Sequence, residues 1–261
     1  MKSFYTEYKD DSKFVQLVAQ LPWTHNNILI EKIKNKSIRK WYIKKCIEEG
    51  WSKNELLYQI NTNLYQRQIG NIKHNNFNLT LKKNSDLAAN MMKDPYIFDI
   101  IALTNGYKEK ELENKMLERL KNVLLEFGNG FSFVGNQYKL TVHNKNFYVD
   151  LLFYHVKLKC YIAVELKIDE FIPEYGSKIG LYLQALDEQV KDKNDNPSIG
   201  IILCKSKNNK IVDYTLKYIN KPVGVSEYKI LDKLPNNYMK NLPTKEDLNF
   251  HINTKNNNVI W

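Results

Sequence analysis

The strongest constraint on this chain is a pair of apolar runs that each carry one acid. Phe147-Tyr148-Val149-Asp150-Leu151-Leu152-Phe153-Tyr154 and Cys160-Tyr161-Ile162-Ala163-Val164-Glu165-Leu166-Lys167 are rich in aromatic and β-branched residues and read as strands. An isolated charge among such neighbours is prohibitively costly, so each carboxylate must be ion-paired, hydrogen-bonded or metal-bound. The turn between the runs lies around His155-Val156-Lys157-Leu158-Lys159. Pairing symmetric about the Lys157–Leu158 bond makes partner numbers sum to 315, which sets Asp150 opposite Glu165. Side chains alternate along a strand, so Lys167 points to the same side as Glu165. Two directly opposed acids repel, and a divalent cation removes the objection. Hard oxygen ligands select Mg2+, with Mn2+ as a substitute, over zinc. A single-residue register slip would send one acid to the other face. The competing expectation is a cross-strand ion pair between one acid and a lysine.

The flanking sequence sets these strands in a mixed fold. Glu109 to Phe127 reads as one helix, with Leu112, Met116, Leu117, Leu120, Leu124 and Leu125 on one side and Gly128-Asn129-Gly130 as its stop. Phe131 to Val142 reads as a strand closed by the turn His143-Asn144-Lys145-Asn146. Ile179 to Val190 is helical, Ser198 to Cys204 has the unbroken apolar run of a strand buried on both faces, and Val223 to Ile230 is a last strand. Strand, helix and strand from 160 to 204 imply a right-handed crossover and a parallel pair. The first hundred residues read as helical. Ile28, Ile30 and Ile33 mark one short helix, and Ile38, Trp41, Tyr42, Cys46 and Ile47 mark a second, which Gly50 stops. Ser52 and Glu55 form a capping box that opens a third, carrying Leu56, Leu57, Ile60 and Leu64. The turn at Gly50 resembles a helix-turn-helix, an arrangement common in all-helical domains. Residues 70–83 read as loop, and Asn84 to Met92 as a short helix ended by Asp94-Pro95. The expected domains are 1–100 (helical), 101–235 (the sheet) and a tail at 236–261.

Composition narrows the function classes. The 261 residues carry 39 Lys and Arg against 29 Asp and Glu, a balance of +10, which suits a polyanionic partner. Residues 1–104 hold 16 basic and 10 acidic side chains, so the excess is greatest in the helical half. No run approaches the ~20 apolar residues of a membrane span, and the first residues lack the apolar core of a secretory signal. Three scattered cysteines, Cys46, Cys160 and Cys204, make neither a disulfide framework nor a zinc site, so the expected compartment is reducing and cytoplasmic. The five histidines show no ligand spacing, and His155 reads as a surface residue at a turn.

Asp, fourteen residues, then Glu-x-Lys on a hairpin between helices resembles the PD-(D/E)xK nuclease superfamily. Gly130-Phe131-Ser132-Phe133-Val134-Gly135-Asn136-Gln137-Tyr138, the strand around Asp150, Phe171-Ile172-Pro173-Glu174-Tyr175 and Asn196-Pro197-Ser198-Ile199-Gly200 resemble its YhcG-like family. The resemblance runs from about residue 15 to residue 243 and includes Leu21-Pro22-Trp23-Thr24-His25-Asn26 and Lys93-Asp94-Pro95-Tyr96. It implies an α+β (α/β) architecture: a helical N-terminal domain, shorter than in other members, then a restriction-endonuclease-like αβββαβ core with a mixed central sheet. It also implies Asp150 and Glu165 as Mg2+ ligands, Lys167 as the lysine that orients water, and a glutamate from the first helix. Glu113 is the choice for that glutamate, with Glu126 as competitor; a surface acid at the helix end is the alternative for Glu126. Val149 stands where the motif has proline. Lys53, Arg67 and Lys73 in the helical half, with Tyr182 and Gln184 after the hairpin, are the candidates for nucleic-acid contact; packing within the helix is the competing role for Tyr182. The implied activity is metal-dependent phosphodiester hydrolysis, on DNA before RNA. A homodimer is among the expected states, because the superfamily pairs subunits to cut two strands. The rival reading is a catalytically silent nucleic-acid-binding module or a subunit of a restriction or defence complex.

Overall fold

A computed structural model describes residues 12–100 and 106–231; the expected tail at 236–261 lies outside the described residues. Four helices open it: α1 (Ser12–Val18), α2 (Trp23–Lys32), α3 (Lys36–Glu49) and α4 (Lys53–Asn61). Gly50 ends α3 in the left-handed region at φ 65°, a conformation that suits a residue without a Cβ. At the start of α4, Ser52 and Glu55 each satisfy the other's free backbone N–H, as the sequence predicts. Leu29, Tyr42, Ile43, Cys46, Leu56 and Leu64 close a small core of this helical unit.

A π-helical turn, Gln66–Gly70, leads out of the helices. Next come β1 (His74–Asn75), α5 (Phe77–Thr80), α6 (Ser85–Met91) and β2 (Tyr96–Phe98). The stretch expected as loop at 70–83 therefore holds a strand and a helical turn. β1 pairs antiparallel and β2 parallel with the last strand, so the boundary expected near residue 100 falls after two strands that join the sheet.

The remaining elements are α7 (Glu109–Glu118), α8 (Leu120–Phe127), β3 (Phe131–Val142), β4 (Lys145–His155), β5 (Cys160–Leu166), α9 (Pro173–Gln189), β6 (Ile199–Cys204), α10 (Asn209–Lys217) and β7 (Val223–Ile230). Three expectations change here. The single helix expected at 109–127 is two, because Arg119 leaves helical geometry at φ −115°, ψ 29°. The helix expected from Ile179 starts at Pro173, whose fixed φ and missing N–H suit a first turn. Helix α10 was not anticipated; only Val212 and Leu216 are buried on it.

The sheet order is β1-β7-β6-β5-β4-β3, with β2 also on β7. β5, β6 and β7 run parallel, and β3, β4 and β5 are antiparallel. The sheet is thus mixed, as expected. One face packs Leu151, Phe153, Ile162 and Val164 against Leu112, Met116, Val123 and Phe127 of α7 and α8. The other packs Leu152, Ala163 and Ile202 against Ile179, Leu183 and Leu186 of α9 and Val212 and Leu216 of α10. His155 is buried rather than at the surface, because its ring seats under Gly130 and packs edge-on to Phe131. Among the described residues no helix is long and apolar enough to cross a membrane.

Candidate active site

The β4–β5 hairpin pairs in the expected register: Leu151 with Val164 and His155 with Cys160, numbers that sum to 315. One step beyond Leu151 and Val164, Asp150 and Glu165 flank the end of the ladder. Leu152 and Ala163 line the core under α9, so alternation turns Asp150 and Glu165 toward that same helix. The chain binds the hairpin end shut, with the Leu166 N–H donating to Asp150 Oδ2 at 2.8 Å.

Glu165 is fully buried. Its Oε1 accepts from Lys167 at 3.1 Å and from Lys178 of α9. Its Oε2 is buried with no hydrogen-bond partner. Lys167 also reaches Glu109 Oε2, the first residue of α7, at 3.0 Å. Burial pulls the Lys167 ammonium down, but Glu165 and the bond to Glu109 outweigh it and leave the group above the ordinary lysine range. Burial likewise pulls Lys178 down, and the bond and charge of Glu165, with Tyr182, together raise it. Both lysines therefore stand as cations. Burial pushes the Asp150 carboxyl up to about 6, and the Glu165 carboxylate adds to the rise; the Leu166 N–H, Lys167 and Lys178 act against it.

The third acid arrives through β3. Gln137 Nε2 donates to Glu113 Oε2 at 2.7 Å and to Asp150 Oδ1 at 3.2 Å, and Asn136 Nδ2 donates to Glu113 Oε1 at 3.0 Å. Glu113 is buried on α7. Gln137 sits at φ 45°, left-handed for a non-glycine residue within a strand, a strain of order ~1 kcal/mol. It follows the register shift between Phe133 and Gly135. Such strain persists only where the surroundings over-determine it.

Asp150, Glu165, Lys167 and Glu113 therefore come together. Glu126 does not join them and is no surface acid: it is buried, bound by Arg67 and Lys93, and accepts the Ile97 N–H at 2.9 Å. Arg67 is spent on that pair and on backbone oxygens, so it cannot meet a phosphate. Lys73 donates to the Ala89 carbonyl at 2.9 Å, and burial, with Lys45 and Lys93 nearby, lowers it to about 8. Lys53 is exposed at the start of α4. Tyr182 is buried in the core, edge-on to Phe147, and Gln184 faces solvent and bonds Glu188. The Lys178 ammonium lies 5.4 Å from the centre of the Tyr182 ring, so this buried side chain also borders the acid cluster.

Gln137, Asn136, Lys178 and Glu109 were missed. The signal for Gln137 was present: Val142 pairs with Lys145 across the His143-Asn144 turn, and the sum of 287 puts residue 137 across from Asp150. Nothing local marks Lys178 or Glu109, which depend on how two helices dock.

Among the described residues no three Asp, Glu, His or Cys side chains form a ready-made metal cage. The donor set nonetheless suits a hard divalent cation. It offers carboxylate oxygens alone, one of them buried and unpartnered. Mg2+ is commonly held by one or two carboxylates and keeps its other positions for water and substrate phosphate.

Residues 89–243 match the YhcG PDDEXK nuclease domain, and residues 1–67 match the DUF1016 N-terminal domain. Escherichia coli (strain K12) YhcG, a protein provisionally named a nuclease, is 30% identical over 203 residues, 76% of this chain and 53% of that protein. The chain thus spans about half the length of that curated relative. Among solved structures, a repair endonuclease from Pyrococcus abyssi is 17% identical with a TM-score of 0.33, covering 50% of each chain. An EndoMS–dsDNA complex is 17% identical with a TM-score of 0.34, covering 53% of this chain and 50% of that one. Those two likenesses are too slight to bear on function. On the family match, which covers more than half of its length, the chain belongs to the YhcG PDDEXK nuclease-domain family.

Proposed function

We propose that this chain hydrolyses phosphodiester bonds of nucleic acid, DNA before RNA, with a divalent cation held by Asp150 and Glu165. The observation that carries the reading is one geometry: two acids on paired strands, a lysine ammonium 3.1 Å from the second acid, and a buried carboxylate oxygen with no partner. Bound Mg2+ or Mn2+ would polarise the scissile phosphate and lower the pKa of a coordinated water. Lys167, tied to Glu165 and Glu109 and kept protonated by them, orients that water and offsets charge on the phosphate rather than acting as a base. Gln137 fixes the carboxyl rotamers of Asp150 and Glu113 with one amide. Glu113 is joined to Asp150 through the Gln137 amide and sets the direction of Gln137. Lys178 balances the charge of Glu165 when the site binds no cation.

A panel of labelled linear, nicked, branched and RNA substrates, incubated with Mg2+, Mn2+ or EDTA, tests the proposal. Cleavage with either ion, absent in EDTA and in Asp150→Ala and Glu165→Ala, is the expected result. Undiminished cleavage in both single variants removes it. Calorimetry with Mn2+ that gives no heat for the unsubstituted protein would favour the silent binding module instead.

A further inference from the structure

Helix α10 carries a surface that neither the sheet nor the acid cluster uses. Ile211, Tyr214 and Tyr218 fall at i, i+3 and i+7, a single stripe along the helix and its cap. Tyr218 is 87% exposed and Tyr214 65% exposed, the first the most exposed of the large hydrophobic side chains described. The buried side of the same helix is accounted for by Val212 and Leu216, so the tyrosines are not needed for packing. Residues 205–221 hold five lysines and one aspartate, +4 of the chain's +10. That aspartate, Asp213, is engaged by His74 at 2.7 Å. Lys207 and Lys221 are paired with Asp94 and Asp187, whereas Lys205, Lys210 and Lys217 are exposed. The Lys217 ammonium lies 5.5 Å from the centre of the Tyr214 ring.

Helix α10 packs on α9. Thr215 and Ile219, each the residue after a stripe tyrosine, press on Gly176 of α9. A Cβ there would stand 3.0 Å from Thr215 Cγ2 and 2.6 Å from Ile219 Cδ1. Two residues on, Lys178 reaches Glu165. Helix α9 thus meets α10 at Gly176 and the acid cluster through Lys178.

We propose that the Tyr214–Tyr218 stripe with Lys210 and Lys217 is a binding track for single-stranded nucleic acid. Exposed aromatic rings one helical turn apart stack on bases whatever the sequence, and ammonium groups beside them neutralise the phosphates between. A duplex keeps its bases stacked on one another and offers the rings nothing. A protein partner fits less well, because the cores of protein interfaces are depleted in lysine. The inference rests on the nucleic-acid reading above and gives its substrate class as single-stranded or frayed.

The test is fluorescence anisotropy with a labelled 20-nucleotide oligo-dT and a duplex of equal length, on the full chain in EDTA, where cleavage plays no part. The unsubstituted protein should prefer the single strand. Tyr214→Ala with Tyr218→Ala should weaken oligo-dT binding at least about ten-fold, since stacking on an aromatic is worth about 1–3 kcal/mol per base. Because both rings are exposed, the melting temperature should stay put. Lys210→Gln with Lys217→Gln should flatten the dependence of log affinity on log salt by about 1.4, at about 0.7 per phosphate contact on a single strand. The proposal is overturned by equal affinity in the tyrosine variant, by a preference for duplex, or by a tyrosine variant that changes only the elution volume, which would mark a contact between copies. Binding that follows the expected pattern while the substrate panel shows no cleavage would keep the track and remove the nuclease reading.

Discussion

Two buried acidic clusters sit on opposite sides of the question of function. Around Glu126, the carboxylate meets Arg67, Lys93 and the Ile97 N–H, all themselves buried. Around Glu165, one oxygen is shared by Lys167 and by Lys178, a side chain 41% exposed, and the other oxygen has no partner. The first cluster is closed, and its charges satisfy one another. The second holds two acids where neighbouring strands converge, a cost that Lys167 and Lys178 offset in part and that a bound cation would offset further. Burial of a carboxylate therefore does not by itself separate structure from function.

The largest expected effect is on the Glu165 cluster. Asp150→Ala or Glu165→Ala should take cation-dependent cleavage to background while the far-ultraviolet circular dichroism is unchanged. If either variant instead unfolds, the Glu165 cluster holds the fold and the contrast with Glu126 fails. Next, Glu126→Ala should cost about 3–5 kcal/mol of stability by leaving Arg67 and Lys93 buried without their acid. Denaturant melts measure this, and a loss under 1 kcal/mol would show that the closed cluster is not structural.

His155 supplies a third, pH-dependent check. Burial lowers its imidazole to about 4, against about 6.5 in an unfolded chain. The unfolded state thus takes up a proton first as pH falls. The stability due to this group is full above about 6.5 and drains away toward 4, by about 3 kcal/mol in all. Melts of His155→Gln should lose that part of the slope; an unchanged slope would place the acid sensitivity elsewhere. The smallest effect sharpens the comparison most. Gln137→Gly removes the amide between Glu113 and Asp150 and relieves the left-handed backbone. Mn2+ affinity or cleavage should fall about 10–100-fold, as for other groups that orient metal ligands, while stability holds or rises by about 1 kcal/mol. Parallel losses of both would reduce Gln137 to a packing residue.

Much of the site was legible beforehand because β-hairpin pairing is arithmetic. Turn position fixes register, register fixes which residues face each other, and alternation fixes the side. That reasoning set Asp150 beside Glu165 and Lys167, and applied to the His143-Asn144 turn it also reaches Gln137. The capping box at Ser52 and the stop at Gly50 were legible for the same reason, since each depends on bonds within one turn of chain. Helix α10 escaped because only Val212 and Leu216 mark its buried side, too few for a periodic signal.

By itself, then, the sequence determined the strands, their register and the convergence of two acids and a lysine, all matters of contacts a few residues from a turn. Tertiary structure alone decided that Glu126 and Arg67 are locked together inside, and that Lys178 and Glu109 complete the cluster. Those outcomes hang on how α7, α8 and α9 dock on the sheet. Docking is set by the whole core's packing, across separations of dozens of residues that no local pattern encodes.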